Sequence, residues 1–294
     1  MSLKALIMKK VIRAKREKEV WRSPEGIPFR VRRENADPVR CFLYAPARAE
    51  QPWPVIFVIH GGAWVGCDAS ELDSFCLDMA EKCGAYIVNI NYTKLDIHPF
   101  PYPQKEITDT IRFIHDHSEE YHLDRDRFAV MGFSAGGHLA AASTLMLHEE
   151  GFDISAQVLC YPFLDFVRFS GLLDKKTTAV MNEIFFPKGV SVRDPHISPV
   201  MAQKEQLEGI APAVFVCCGP DPLTEHSKRY EVLLKEAGVH TEFRLYEKAL
   251  HGFLEVNHKE YPDQEAKNPE QERYAKEAED FTAEELKKIW RKAQ

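Results

Sequence analysis

Four short stretches of this chain are apolar almost without interruption: VIFVI at 55–59, YIVNI at 86–90, FAVMGF at 128–133 and AVFVCC at 213–218. A strand with one face in water alternates apolar and polar residues; a strand covered on both faces does not. These four runs therefore demand a largely parallel sheet with helices on both sides. Strands are predicted at 28–33, 39–44, 54–60, 85–92, 127–132, 156–161, Ala213–Cys218 and Thr241–Tyr246. The first two alternate more and suit an antiparallel ribbon at the sheet edge. Helical spacing links the later strands: Ile107, Ile111 and Ile114, then Tyr230, Leu233, Leu234 and Ala237, with Gly238 as a C-cap. Alternating strands and helices imply a right-handed, doubly wound arrangement.

At 294 residues the chain reads as one domain with a core large enough to need neither disulfides nor a metal. Its seven cysteines, an odd number, fall mostly in predicted strands and helices. Cys217 and Cys218 share one buried strand and read as core. Reduced packing residues of this kind point to a cytoplasmic protein. The net charge of −7 argues against nucleic acid as a partner. The basic stretch 9–18 reads as a solvated N-terminal helix, and ALIM at 5–8 is too short for a signal-peptide core. No apolar run approaches a bilayer span, so no membrane partner is expected, while a homodimer is left open. Two stretches interrupt the alternation. Residues 162–210 make a long excursion between core strands, read as a small cap. Residues 258–294 read as a polar loop followed by a helix over 270–291 docked through Ala278, Phe281, Leu286 and Ile289.

Chemistry concentrates where the run FAVMGF meets the helix-forming GGHLAAASTLML. The sequence there is Gly132-Phe133-Ser134-Ala135-Gly136. A serine between glycines at a strand-to-helix junction fits a nucleophile elbow, the tight turn that lifts a hydroxyl above the sheet edge. A serine needs a base, and the base needs an orienting acid. AVFVCC runs into GPDPL, placing Asp221 just past one strand. EFRLY runs into EKALHGF, placing His251 just past the next. Both loops lie where open α/β sheets gather their active sites. VIFVI ends in His60-Gly61-Gly62-Ala63-Trp64, so the backbone N–H groups of Gly62, Ala63 and Ala135 are assigned as oxyanion donors. Asp165, in the neighbouring loop, is the rival acid. Glu225 reads as a cap of the helix after Asp221, His60 as support for the oxyanion loop and His138 as packing. Trp64 and Phe253 either line an acyl pocket or buttress their loops.

HGGAW, GFSAGGHLA, DPL and HGF, in this order, together with NYTKLDIHPFPYP between them, resemble the hormone-sensitive-lipase-like esterases of the α/β-hydrolase superfamily. The resemblance covers about 54–253, some two-thirds of the chain. It implies the α/β-hydrolase fold, a mostly parallel eight-stranded sheet with helices on both faces and a small cap. It also implies a serine carboxylesterase that acts on short acyl esters through an acyl-enzyme without cofactor or metal. Removal of acetyl groups from carbohydrates is a compatible natural role. The chain departs from the family in having HGGA for HGGG and Phe133 where an acidic residue is frequent. Its short N-terminal region implies a reduced cap and an open site. Two other readings share these motifs: an arylformamidase-type amide hydrolase, and a non-catalytic ligand-binding receptor on the same fold.

Overall fold

The computed structural model describes residues 1–18, 24–168, 174–260 and 268–292. Its strands are β1 (Ile27–Arg33), β2 (Ala36–Tyr44), β3 (Trp53–Ile59), β4 (Tyr86–Asn91), β5 (Leu123–Phe133), β6 (Ala156–Cys160), β7 (Ala213–Cys218) and β8 (Thr241–Tyr246). They form one sheet in the order β1-β2-β4-β3-β5-β6-β7-β8. β2 pairs antiparallel with both β1 and β4, and every pair from β4–β3 through β7–β8 is parallel. The α/β-hydrolase fold expected from sequence is the one observed. β5 begins earlier than the apolar run suggests, because the polar stretch at its start pairs with the entry of β3 through Trp53 and Leu123.

The helices are α1 (Leu3–Arg16), α2 (Asp73–Cys83), α3 (Tyr102–Asp116), α4 (Ala135–Glu149), α5 (Lys175–Phe185), α6 (Lys204–Leu207), α7 (Thr224–Glu236) and α8 (Pro269–Lys292). The period of two along β3 explains the layering. Val55, Phe57 and Ile59 enter one core, with residues of α3, α4 and α7, while Ile56 and Val58 enter the other, with residues of α2 and α8. Both cores are needed because both faces of the central strands are apolar. Ala278, Phe281, Leu286 and Ile289 dock α8 as the spacing predicts. All seven cysteines are free, and all but Cys67 are buried.

The excursion over 162–210 holds α5, a 3-10 turn at Pro199–Met201 and α6. Its residues 169–173, and residues 261–267 of the predicted C-terminal loop, lie outside the described residues. The chain crosses from β4, on one side of β3, through α3 to β5 on the other. This reversal opens a crevice at the C-terminal ends of β3 and β5.

Two glycines set how closely that crevice is drawn. A Cβ on Gly132 would lie 2.1 Å from the Gly136 carbonyl oxygen, and one on Gly136 would lie 2.1 Å from that of Ile59 and 2.5 Å from that of His60. All three obstacles are backbone, so no side chain can swing aside. Gly136→Ala should therefore lower unfolding free energy by about 3 kcal/mol or more in urea titrations. An unchanged midpoint would show that α4 can retreat from β3 without cost.

Candidate active site

Ser134 follows β5 directly, with φ 53° and ψ −111°. A positive φ is rare for a residue with a side chain and costs about 1–3 kcal/mol. The surroundings impose it: Ser134 N–H donates to the Cys160 carbonyl at 2.9 Å, and its own carbonyl accepts from His138 at 3.1 Å and Phe163 at 3.2 Å. The strain turns the side chain out of the strand-helix junction. Ser134 Oγ lies 2.8 Å from His251 Nε2, and His251 Nδ1 lies 2.6 Å from Asp221 Oδ2.

The three predicted residues thus meet, although 117 positions separate the serine from the histidine. Asp221 is nearly buried, and its Oδ1 accepts from Leu223 N–H at 2.9 Å, so one oxygen is anchored and the other is left for His251. His251 is 42% exposed at its side chain. Asp165, the rival acid, is fully buried and committed elsewhere. It accepts from Val167 and Arg168 N–H at 3.0 and 3.2 Å and pairs with Arg229. Glu225 does not cap α7 as expected; its carboxylate takes Lys228 at 2.7 Å, and Asp221 Oδ1 holds the turn instead.

Sequence reading missed what holds the histidine loop. Gln271 of α8 accepts from Leu250 N–H and donates to the Lys248 carbonyl, both at 2.9 Å, bracketing the approach to His251. The Tyr161 ring lies 5.0 Å from the imidazole, and its hydroxyl donates to Glu255 at 2.7 Å. A glutamine in a polar helix start carries no signal of this task.

After β3 the backbone makes three consecutive left-handed steps, Gly62, Ala63 and Trp64 at φ 94°, 49° and 64°. Behind this loop lies a second residue the sequence did not reveal, Lys94, 5% exposed. Its ammonium donates to His60 Nε2 at 2.7 Å, to the Tyr92 carbonyl at 3.1 Å and to Asn91 Oδ1 at 3.2 Å, and it stands 4.1 Å over the Tyr92 ring. Burial, reinforced by the Lys94 charge, holds the His60 pKa well below the ordinary histidine value. A neutral His60 accepting from Lys94 at Nε2 must carry its proton on Nδ1, which donates to the Gly61 carbonyl at 2.9 Å. Tyr92 Oη donates to the same carbonyl at 2.9 Å. With that carbonyl fixed by two donors, the planar peptide sends the Gly62 N–H the opposite way. His60 is the loop support expected.

Trp64 and Phe253 buttress their loops. Trp64 is 3% exposed and its Nε1 donates to His138 Nδ1 at 3.2 Å, while Phe100, Phe163, Phe166 and Phe185 surround its ring. His138 passes the contact on, donating from Nε2 to the Ile197 carbonyl at 2.8 Å; burial pushes its pKa down to about 4. Phe253 is buried against Tyr161 and Tyr246. Phe133, in the place of a frequent acid, packs edge-on to Phe75 at 5.0 Å. Among the described residues no group of three or more potential metal ligands assembles, and no helix is long and apolar enough to cross a membrane.

Burial pushes the Lys94 pKa down to about 7. Between that value and the ordinary lysine value near pH 10, the unfolded chain holds a proton that the native chain does not, so stability rises with pH. Wild type should therefore gain on Lys94→Met by up to about 1.4 kcal/mol per pH unit across this window in denaturant titrations. A difference independent of pH would contradict the depressed value.

A family model described as alpha/beta hydrolase fold matches residues 56–255. The carboxylic ester hydrolase LipN of Mycobacterium tuberculosis is 30% identical over 72% of this chain and 61% of its own length. The chain thus spans less than two-thirds of that relative. An arylesterase of Saccharolobus solfataricus is 26% identical over 74% of this chain and 72% of its own. The solved structure of a Pyrobaculum calidifontis esterase superimposes with a TM-score of 0.76 at 25% identity, covering 98% of this chain and 94% of that one. With the family model spanning more than half of the residues, the chain belongs to the hormone-sensitive-lipase-like esterase family of the α/β-hydrolases, a family of serine ester hydrolases.

Proposed function

We propose that the chain is a serine carboxylesterase for short-chain acyl esters, with Ser134 as nucleophile, His251 as base and Asp221 as orienting acid. The observation that carries this reading is the unbroken chain of contacts from Ser134 Oγ through His251 to Asp221, at 2.8 and 2.6 Å. In the first half-reaction Ser134 Oγ attacks the acyl carbon and its proton passes to His251 Nε2. Asp221, bonded to Nδ1, fixes the tautomer and stabilises the imidazolium. The carbonyl oxygen gathers charge that the N–H groups of Gly62, Ala63 and Ala135 receive. Ala135 opens α4, where the helix cannot satisfy its own N–H groups and the dipole favours an anion. The alcohol leaves with the proton from His251, and water repeats the sequence on the acyl-enzyme.

The modest cap over 162–210, with α5, a 3-10 turn and α6, supports a small acyl group. Phe163, whose N–H donates to the Ser134 carbonyl at 3.2 Å, belongs to the buried aromatic group around Trp64 and ties the cap to the nucleophile's turn. Acetyl to butanoyl esters fit this reading, with acetylated carbohydrates as natural substrates, and the buried free thiols suit a cytoplasmic setting.

Two measurements test it. Ser134→Ala and Asp221→Asn should keep the native fold by circular dichroism and lose roughly 10⁶-fold and 10⁴-fold, respectively, in kcat on an aryl acetate, whereas Asp165→Asn should lose stability and keep turnover. The opposite ranking of the two aspartates would give the acid role to Asp165. On a series of aryl esters, kcat/KM should fall beyond butanoate; faster turnover of an N-formyl aryl amide than of the acetate would sink the ester reading.

A further inference from the structure

Helix α1 keeps its most apolar side in water. Leu3, Leu6, Ile7 and Val11 are 73, 45, 54 and 57% exposed. At the angular spacing of a helix they fall on one stripe along its length. The opposite side faces the body through buried Ala5, the partly buried Met8, and Arg13 and Arg16, which clamp the buried Asp96 carboxylate at 2.7–3.1 Å. Lys4 and Lys15 lie along one edge of the stripe and Lys10 stands within it, between Leu3 and Leu6, and from Leu3 to Arg16 there is no carboxylate. The adjoining start of α5 adds Lys175 and Lys176; its acids are engaged, Asp174 in capping α5 and Glu183 with the N-terminal amine. Between the two helices runs an open groove of about 360 Å³, lined by Ile7, Met8, Val11 and Val180 with Lys4 and Lys176.

We propose that α1 and the adjoining edge of α5 form a docking surface for an anionic lipid bilayer. The helix lies in the plane of the interface, with Leu3, Leu6, Ile7 and Val11 among the acyl chains and the lysines among the headgroup phosphates. Charge selects this occupant. The chain as a whole carries −7, yet this face carries cations around an apolar stripe, the pattern of helices that lie on membranes. A second copy bound through the same face would set lysine against lysine. A nucleic acid would use the lysines but leave four large aliphatic side chains in water. The solvated helix expected from 9–18 is thus only half of the element, because the apolar stripe begins upstream at Leu3. The opposite, inward side of the helix ties it to the Gly61–Trp64 loop, since Arg16 donates to the Val65 carbonyl at 2.6 Å, one residue past Trp64.

Flotation of the full chain with vesicles tests this. The chain should float with phosphatidylcholine containing about 30% phosphatidylglycerol and bind pure phosphatidylcholine at least ~10-fold more weakly. Raising salt from about 0.05 to 0.5 M should also weaken anionic binding at least ~10-fold. Ile7→Ser/Val11→Ser and, separately, Lys4→Gln/Lys10→Gln should each reduce it by about 10-fold or more, with the thermal midpoint and turnover of a soluble ester unchanged. Absence of flotation with anionic vesicles would overturn the proposal, as would equal binding to both vesicle types. A dimer in light scattering that Ile7→Ser/Val11→Ser converts to monomers would also overturn it, giving the face to a second copy.

Discussion

The first turn of α4 rests directly on the carbonyl oxygens at the end of β3. That contact exists only because Gly136 presents no Cβ to Ile59 and His60, and Gly132 presents none to Gly136. The residues proposed for catalysis are arranged around it. It brings the end of β5 beside the end of β3, so Ser134 and the loop from Gly61 to Trp64 become neighbours. It also forces Ser134 into a backbone conformation that no strand or helix would choose. The strain is sustained by hydrogen bonds from three sides, involving Cys160, His138 and Phe163.

The support around this contact is polar on one side and aromatic on the other. On the polar side, Lys94, His60 and Tyr92 form a buried chain ending at the Gly61 carbonyl. It sets a peptide orientation through hydrogen bonds that are strong because water is excluded. A buried ammonium is an expensive component. Here its charge has acceptors on Asn91 and Tyr92 and a ring beneath it. On the aromatic side, Trp64 joins the Gly61–Trp64 loop to His138 of α4 and to the rings that the cap supplies. The cap is therefore part of the wall that keeps the loop in place.

The central strands could be read from sequence because burial on both faces leaves an unbroken apolar run, a signal that needs no partner to be recognised. The proposed triad was legible for a related reason. Ser134 and Asp221 come just after two such strands, and His251 comes in the loop after the neighbouring, more polar β8, so locating the strands located their loops. The sequence favoured Asp221 over Asp165 but left the latter as a rival, since both stand just past strands; the contacts made by Arg229, Val167 and Arg168 show that Asp165 is occupied, while Asp221 meets His251. Lys94 and Gln271 were invisible because their partners are distant in sequence or lie on the backbone, and a polar residue in a polar stretch gives no periodic sign that it is buried. The edge of α1 was half legible. Its lysines stand out in sequence, but that its aliphatic residues face water follows from which side Arg13 and Arg16 must turn toward Asp96.

That pair of arginines has a consequence for how the chain acquires its shape as it is made. α1 is synthesised before the groups it docks on, Val65, Asp96 and α5, which follow dozens of residues later. An isolated helix of 14 residues is marginal in water. During synthesis α1 therefore waits without a partner, and Asp96 emerges as an acid awaiting its cations. A segment translated ahead of its partners is then among the last to settle, and when it does Arg16 closes onto the Val65 carbonyl behind the Gly61–Trp64 loop.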